Sequence, residues 1–114
     1  MNKARRTKLR KIEREVTKVV EKINESDYSE LEVLKKNSLI LRAVIEEEEE
    51  AIANLPFGLD STDRAMKAED DLGLITETAD AIDDLIGYIE EEDYSSAKDK
   101  AQELEDDYLF NLFC

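Results

Sequence analysis

Between Ala65 and Tyr94 one apolar seam runs without a break. Ala68, Leu72, Ile75, Ala79, Ile82, Ile86 and Ile89 recur at alternating spacings of four and three. That spacing is one face of an α-helix sustained for three heptads, and the period-two alternation of a strand cannot produce it. The positions diametrically opposite the seam are Asp70, Glu77, Asp84 and Glu91, and the lines beside them add Glu69, Asp80, Asp83 and Glu90. No lysine or arginine lies between Lys67 and Lys98. The stretch therefore predicts a helix with core on one side and carboxylate on the other.

The rest of the chain carries the same period. Leu9, Ile12, Val16, Val19 and Ile23, widened by Val20, predict a first helix over about Lys3 to Asn24. Ser29 and Glu32 stand at capping-box spacing and predict the start of a second helix, running from about Glu30 to Asn54. That helix carries Leu31, Leu34, Leu41, Ile45 and Ile52, with a second line through Val33, Leu39, Ile40 and Val44, a face broad enough for more than one neighbour. Pro56 and Gly58 interrupt the pattern, and Asp60, Ser61 or Thr62 caps the third helix, which continues to about Glu92. After a turn at Glu92 to Ser95, the residues Ala97, Ala101, Leu104, Tyr108 and Leu112 form the seam of a fourth.

With 114 residues, three Gly and one Pro, the chain reads as a single all-α domain with one core. The expected architecture is two αα-hairpins, 3–54 and 62–113, joined by a loop over 55–61, as an antiparallel four-helix bundle or a stacked pair. The steps Ser26-Asp27-Tyr28-Ser29 and Glu92-Asp93-Tyr94-Ser95 echo each other between helices, and the two tyrosines are expected to cover the bundle ends.

Several functions find no residues to stand on. There is no histidine, no cysteine pair, no phosphate-binding glycine loop and no nucleophile signature, so zinc, haem, P-loop and triad chemistry are excluded. Asp80, Asp83 and Asp84 have a spacing that offers Mg²⁺ a few oxygens, but without EF-hand spacing or further ligands. No catalytic residue, metal or cofactor is expected. No apolar run has the length of a membrane span, nor does one follow the basic segment Met1 to Arg14 as in a signal peptide. With Cys114 as the only cysteine, a cytoplasmic location is expected.

The net charge of −14 is unevenly placed. Residues 1–59 hold 12 basic and 12 acidic side chains, whereas residues 60–114 hold 4 basic and 18 acidic, so the second half carries the whole excess. Folding the first helix back on the second about Asp27 sets Lys3, Arg5, Arg6, Lys8, Arg10 and Lys11 against Glu46 to Glu50, and these runs are expected to cancel. The second hairpin is expected to lack such cancellation. Its carboxylates form a dense negative stripe able to compete for a basic groove. Gly73 and Gly87 fall on the acidic side, where they leave room for another backbone or simply cost helix stability.

The opening Met1-Asn2-Lys3-Ala4-Arg5-Arg6, the segment Glu48-Glu49-Glu50-Ala51-Ile52-Ala53-Asn54-Leu55-Pro56 followed by Leu59, Ser61, Arg64 and Met66, and the Asp-rich heptads after it resemble a family of short acidic helical proteins of prophages and mobile elements of Gram-positive bacteria. In that family the first segment is one helix leading into the Asn-Leu-Pro loop. This chain departs from it by the turn at Ser26 to Ser29 and by the tail after Glu92. The resemblance brings no established activity. It implies a phage setting, in which small acidic proteins act as inhibitors of host defence, anti-CRISPR proteins among them.

The expected function is accordingly that of a non-enzymatic inhibitor that occupies the nucleic-acid-binding groove of a basic host protein, such as a CRISPR effector nuclease. Asp70, Glu77, Asp80, Asp83, Asp84, Glu90 and Glu91 would imitate phosphates, with Asp93, Asp99, Glu103 and Asp106 extending the surface. Direct nucleic-acid binding through Lys3 to Arg14 is a separate reading, disfavoured by the net charge and by the absence of interleaved aromatics. An assembly role through Phe110, Leu112 and Phe113 is the main alternative, and a homodimer is left open. The decoy reading requires that Lys or Arg partners leave these carboxylates free.

Overall fold

The structure, a computed structural model, describes residues 3–54 and 63–109, the side chains of residues 63–65 excepted. Four α-helices follow one another: α1 (Lys3–Asn24), α2 (Leu31–Ala53), α3 (Asp63–Glu90) and α4 (Tyr94–Glu103), and a π turn over Leu104–Tyr108 continues the last. Among the described residues there is no strand. The loop containing Pro56 and Gly58, the cap of α3, and Phe110, Leu112, Phe113 and Cys114 lie outside the described residues.

α1 packs against α2 and α4, and α3 packs against the same two helices, so the four close a ring in chain order. This is the antiparallel bundle rather than two stacked hairpins. It measures 50 × 21 × 20 Å, and the 28 residues of α3 at about 1.5 Å each account for about 42 Å of the long dimension. All six apolar residues of the α1 seam are buried, from Leu9 to Ile23. Ile75, Ala79, Ile82, Ile86 and Ile89 of α3 join them, together with Ala81 and Leu85. The second α3 line exists because α3 has two packing neighbours. Ala68 and Leu72, toward the start of α3, are only half-buried.

Three expectations are corrected. Leu39, assigned to the apolar face of α2, is 74% exposed, while Asn37, Ser38 and Glu48 are buried. Geometry overrides hydropathy here: Asn37 lies three residues after Leu34, and Glu48 seven after Leu41, so both stand on the buried line whatever their polarity. The capping box at Ser29 does not form. α2 has Glu30 at its cap with no side-chain bond to the backbone, because Asp27 Oδ1 accepts from both the amide (3.0 Å) and the hydroxyl (2.6 Å) of Ser29. Finally, the π turn inserts one extra residue into the fourth seam. The amide of Leu109 donates to the carbonyl of Leu104, so Leu109 takes the buried position and Tyr108 is half-buried.

Both interhelical turns have the same backbone construction. The amides of Ser26 and Asp27 donate to Ile23 and Lys22, and those of Glu92 and Asp93 donate to Ile89 and Tyr88. Ser26 (φ 67°) and Glu92 (φ 58°) occupy the left-handed position of this helix-ending motif, usually a glycine. The next residue in each turn is an aspartate. Asp93 accepts from the amide of Ser96 and caps α4. Tyr28 and Tyr94 stack with ring centroids 4.2 Å apart, and Lys98 donates to Ser26 Oγ at 2.7 Å. The sequence echo thus marks two equivalent turns that meet at one end of the bundle.

Candidate functional site

The charges of the first hairpin meet as its fold-back requires, though fewer are matched than expected. Arg5 Nε donates to Glu48 Oε1 at 2.5 Å, and Glu48 is only 2% exposed. Arg5 and Lys8 also approach Glu47, at 3.9 and 3.4 Å. Lys36 stands 3.6 Å from Glu15, and Lys22 stands 2.8 Å from Glu30. The Glu30 carboxylate, bonding to Lys22, raises that lysine above its ordinary value. Lys3, Arg6, Lys11, Arg14 and Lys18 remain exposed, with no ion pair to a carboxylate.

The second hairpin is less bare than its own sequence implies, because α2 supplies cations to it. Arg42 Nη2 donates to Asp83 Oδ2 (2.6 Å) and Asp80 Oδ1 (2.9 Å), and Ser38 Oγ donates to Asp83 Oδ1 at 2.5 Å. Those bonds, to Asp83 first and Asp80 second, hold the guanidinium pKa above its ordinary value. Lys35 Nζ lies 3.6 Å from Glu90. Lys100, on α4, reaches Glu103 (3.3 Å) and Asp84 (3.8 Å). Burial alone would lower Lys100, but the bond to Glu103 and the charges of Glu103 and Asp84 outweigh it, and its pKa is raised.

Of the eleven predicted site residues, Asp80, Asp83, Asp84, Glu90 and Glu103 therefore meet a lysine or arginine. Asp93 is occupied as a helix cap, and Asp106 accepts from Gln102 at 3.0 Å. Asp70, Glu77, Glu91 and Asp99 are exposed and make no ion pair or hydrogen bond through their side chains. The expectation of an uncancelled stripe is corrected accordingly. The ion-paired aspartates stay largely wet, since Asp80 is 65% and Asp84 60% exposed. Pairs of that kind reduce the field without removing the oxygens from solvent. Of the 18 acids after Leu59, many stay in excess: adding Arg42 and Lys35 to the 4 local cations still leaves an excess of 12.

The cations that the sequence reading missed are Lys35 and Arg42, with Ser38 between them. They share one line of α2 at spacings of three and four, and they face Glu90, Asp83 and Asp80 in antiparallel register. Packing α2 against α3 brings these partners together; folding each hairpin on itself does not reveal them. The free acids Asp70 and Glu77 share the outer line of α3 with Asp84, and Glu91, just past the helix, continues that line, at seven residues or about 10 Å per step. Gly73 and Gly87 interrupt this side, and a Cβ at either would meet nothing within 4 Å.

Two surface clefts lie along α1, away from this face. One, of about 250 Å³, lies between α1 and α2 against Glu15, Lys18, Val19, Lys22, Glu30 and Val33, and one of about 400 Å³ lies beside Thr7, Arg10, Glu13 and Arg14. Neither holds a nucleophile beside a base in the arrangement that acyl or phosphoryl transfer needs. Among the described residues no group of three His, Cys, Asp or Glu is placed to hold a metal ion; at Asp80 and Asp83 the guanidinium of Arg42 occupies the carboxylates. Nor is any described helix long and apolar enough to cross a membrane. Comparison with protein-family models, with curated proteins and with solved structures finds no match to this chain.

Proposed function

We propose that this protein is a non-enzymatic binding protein whose outer α3 edge, flanked by α4, occupies a basic surface of a partner protein. The observation that carries this reading is the exposed line of Asp70, Glu77 and Glu91, with Asp99 on α4, none of them matched by a cation. Segregation is the physical reason: an acidic face kept for solubility alone interleaves both signs, whereas here the excess is confined to one hairpin. The free acids are about 10 Å (Asp70 to Glu77) and about 21 Å (Glu77 to Glu91) apart, wider than phosphates on a strand, about 3.4 Å. The edge therefore fits a row of separated Lys or Arg residues better than a groove that follows every phosphate.

The narrower form of the proposal is a phage-encoded inhibitor of a host defence protein, with the nucleic-acid channel of a CRISPR effector as the basic surface; it draws on the resemblance described above. The test is DNA binding by a guide-loaded CRISPR effector nuclease, measured with increasing amounts of the intact protein at low and high salt. Inhibition that weakens with salt and is lost in the triple variant Asp70→Asn, Glu77→Gln, Glu91→Gln supports the reading. Inhibition that the triple variant retains overturns the assignment of the edge. No inhibition, together with no salt-sensitive retention on an immobilised basic protein, overturns the binding function itself.

A further inference from the structure

The cations left over on α1 form a second charged surface. Lys3, Arg6, Lys11, Arg14 and Lys18 are exposed and unmatched by carboxylates, and they extend over 15 residues, about 22 Å of helix. Positive charge near a helix N-terminus is unfavourable, and so is the like-charge step from Arg14 to Lys18. An external anion would relieve both. α1 and α3 pack against the same two helices and so stand at opposite corners of the bundle. The bundle is 20 to 21 Å thick, about two and a half Debye lengths at physiological ionic strength, roughly 8 Å. Each face therefore presents its own sign despite the net charge of −14.

We infer that the basic face of α1 docks onto the acidic α3 edge of a second copy of this chain. The two surfaces are opposite in charge, both are helix faces, and the acidic line from Asp70 to Glu91 is about 31 Å long, enough to receive the whole basic face. Because donor and acceptor surfaces lie on opposite corners, the contact is head-to-tail. Each added copy leaves one basic and one acidic face open, so the association grows as short chains rather than closing as a two-fold dimer. The contact is polar and one helix wide, below the area of a stable complex, so it is weak and depends on salt. It rests on the same α3 edge as the proposed function, and a basic partner would compete with it.

Sedimentation velocity of the intact protein tests this, with reductant present so that Cys114 cannot bridge copies. The expected result is a sedimentation coefficient that rises with protein concentration at a low salt of about 0.1 M, where the Debye length of about 10 Å is still shorter than the bundle is thick, and returns to the monomer value at about 1 M. Two variants are compared, each checked for unchanged helicity by circular dichroism: Lys11→Glu, Arg14→Glu, Lys18→Glu, and Asp70→Lys, Glu77→Lys, Glu91→Lys. Each alone should associate at least about tenfold more weakly, and mixing the two should restore association, because each retains the surface the other has lost. A wild-type chain that stays monomeric at low salt overturns the inference, as does association that high salt or the α1 variant leaves unchanged. A monomeric chain that retains duplex DNA through α1 overturns it in favour of a phosphate backbone. Salt-sensitive binding of a basic protein by a monomeric chain overturns this inference alone and leaves the proposed function standing.

Discussion

Ser26 and Glu92 hold backbone conformations that side chains with a Cβ adopt at a cost, and each does so at the end of a long helix. Glycine relieves that strain, so Glu92→Gly should stabilise the fold by about 1 kcal/mol, read from the urea midpoint. Ser26→Gly should gain less, since it also removes the hydroxyl that accepts from Lys98. Asp27 illustrates a pH effect in the same turn. The Ser29 hydroxyl and then its amide hold the Asp27 carboxyl below its ordinary 3.8. A depressed folded-state pKa means that the stabilisation is present above the unfolded value and disappears as pH falls through the folded one. The stability difference between wild type and Asp27→Asn should therefore be constant near neutrality and shrink on acidification below about pH 4, as followed by urea unfolding at each pH.

At the scale of the helix, α3 combines a fully occupied inner side with an outer side that carries two glycines. Nothing stands within 4 Å of a Cβ built at Gly73 or Gly87, so alanine meets no clash and gains helix propensity. Each Gly→Ala change should add about 1 kcal/mol to stability, measured by thermal and urea unfolding. If the outer edge docks against another helix as inferred, the same alanines should weaken association while stabilising the monomer. A change that does both separates close backbone approach from neutral placement. The π turn at the end of α4 has a clear packing consequence: it passes the buried position from Tyr108 to Leu109.

For the molecule as a whole, the contact between α2 and α3 decides how much negative field is shown. Arg42 bonds to two carboxylates of α3, and Ser38 bonds to one of the same pair. Arg42→Ala should cost about 1 kcal/mol, since the group is partly exposed and its pairs are screened. It should also free Asp80 and Asp83 and strengthen binding to a basic protein by about threefold at low salt. Unchanged or weaker binding by a folded Arg42→Ala variant would count against an electrostatic role for this face. The buried Arg5–Glu48 pair, at the opposite end of the bundle from the stacked tyrosines, stays out of this balance because almost none of Glu48 is exposed.

The extents of α1 and α2 and the end of α3 were legible to within about two residues, because the apolar period that marks them is local in sequence. The seam of α1, the fold-back about Asp27, and the equivalence of the two acid-tyrosine-serine turns all follow from spacing within a few tens of residues. The acidic character of the second hairpin is likewise a property of its composition. Which acids stay free was not legible, because that depends on the neighbour across the ring. Lys35, Ser38 and Arg42 are local to α2, yet their partners Glu90, Asp83 and Asp80 lie 55, 45 and 38 positions away. Burial of Asn37 and Glu48 has the same origin, since position on the helix cylinder outranks polarity once two neighbours enclose it. Local periodicity determined the helices and their charges; only the closure of the ring decided which of those charges face one another and which face water.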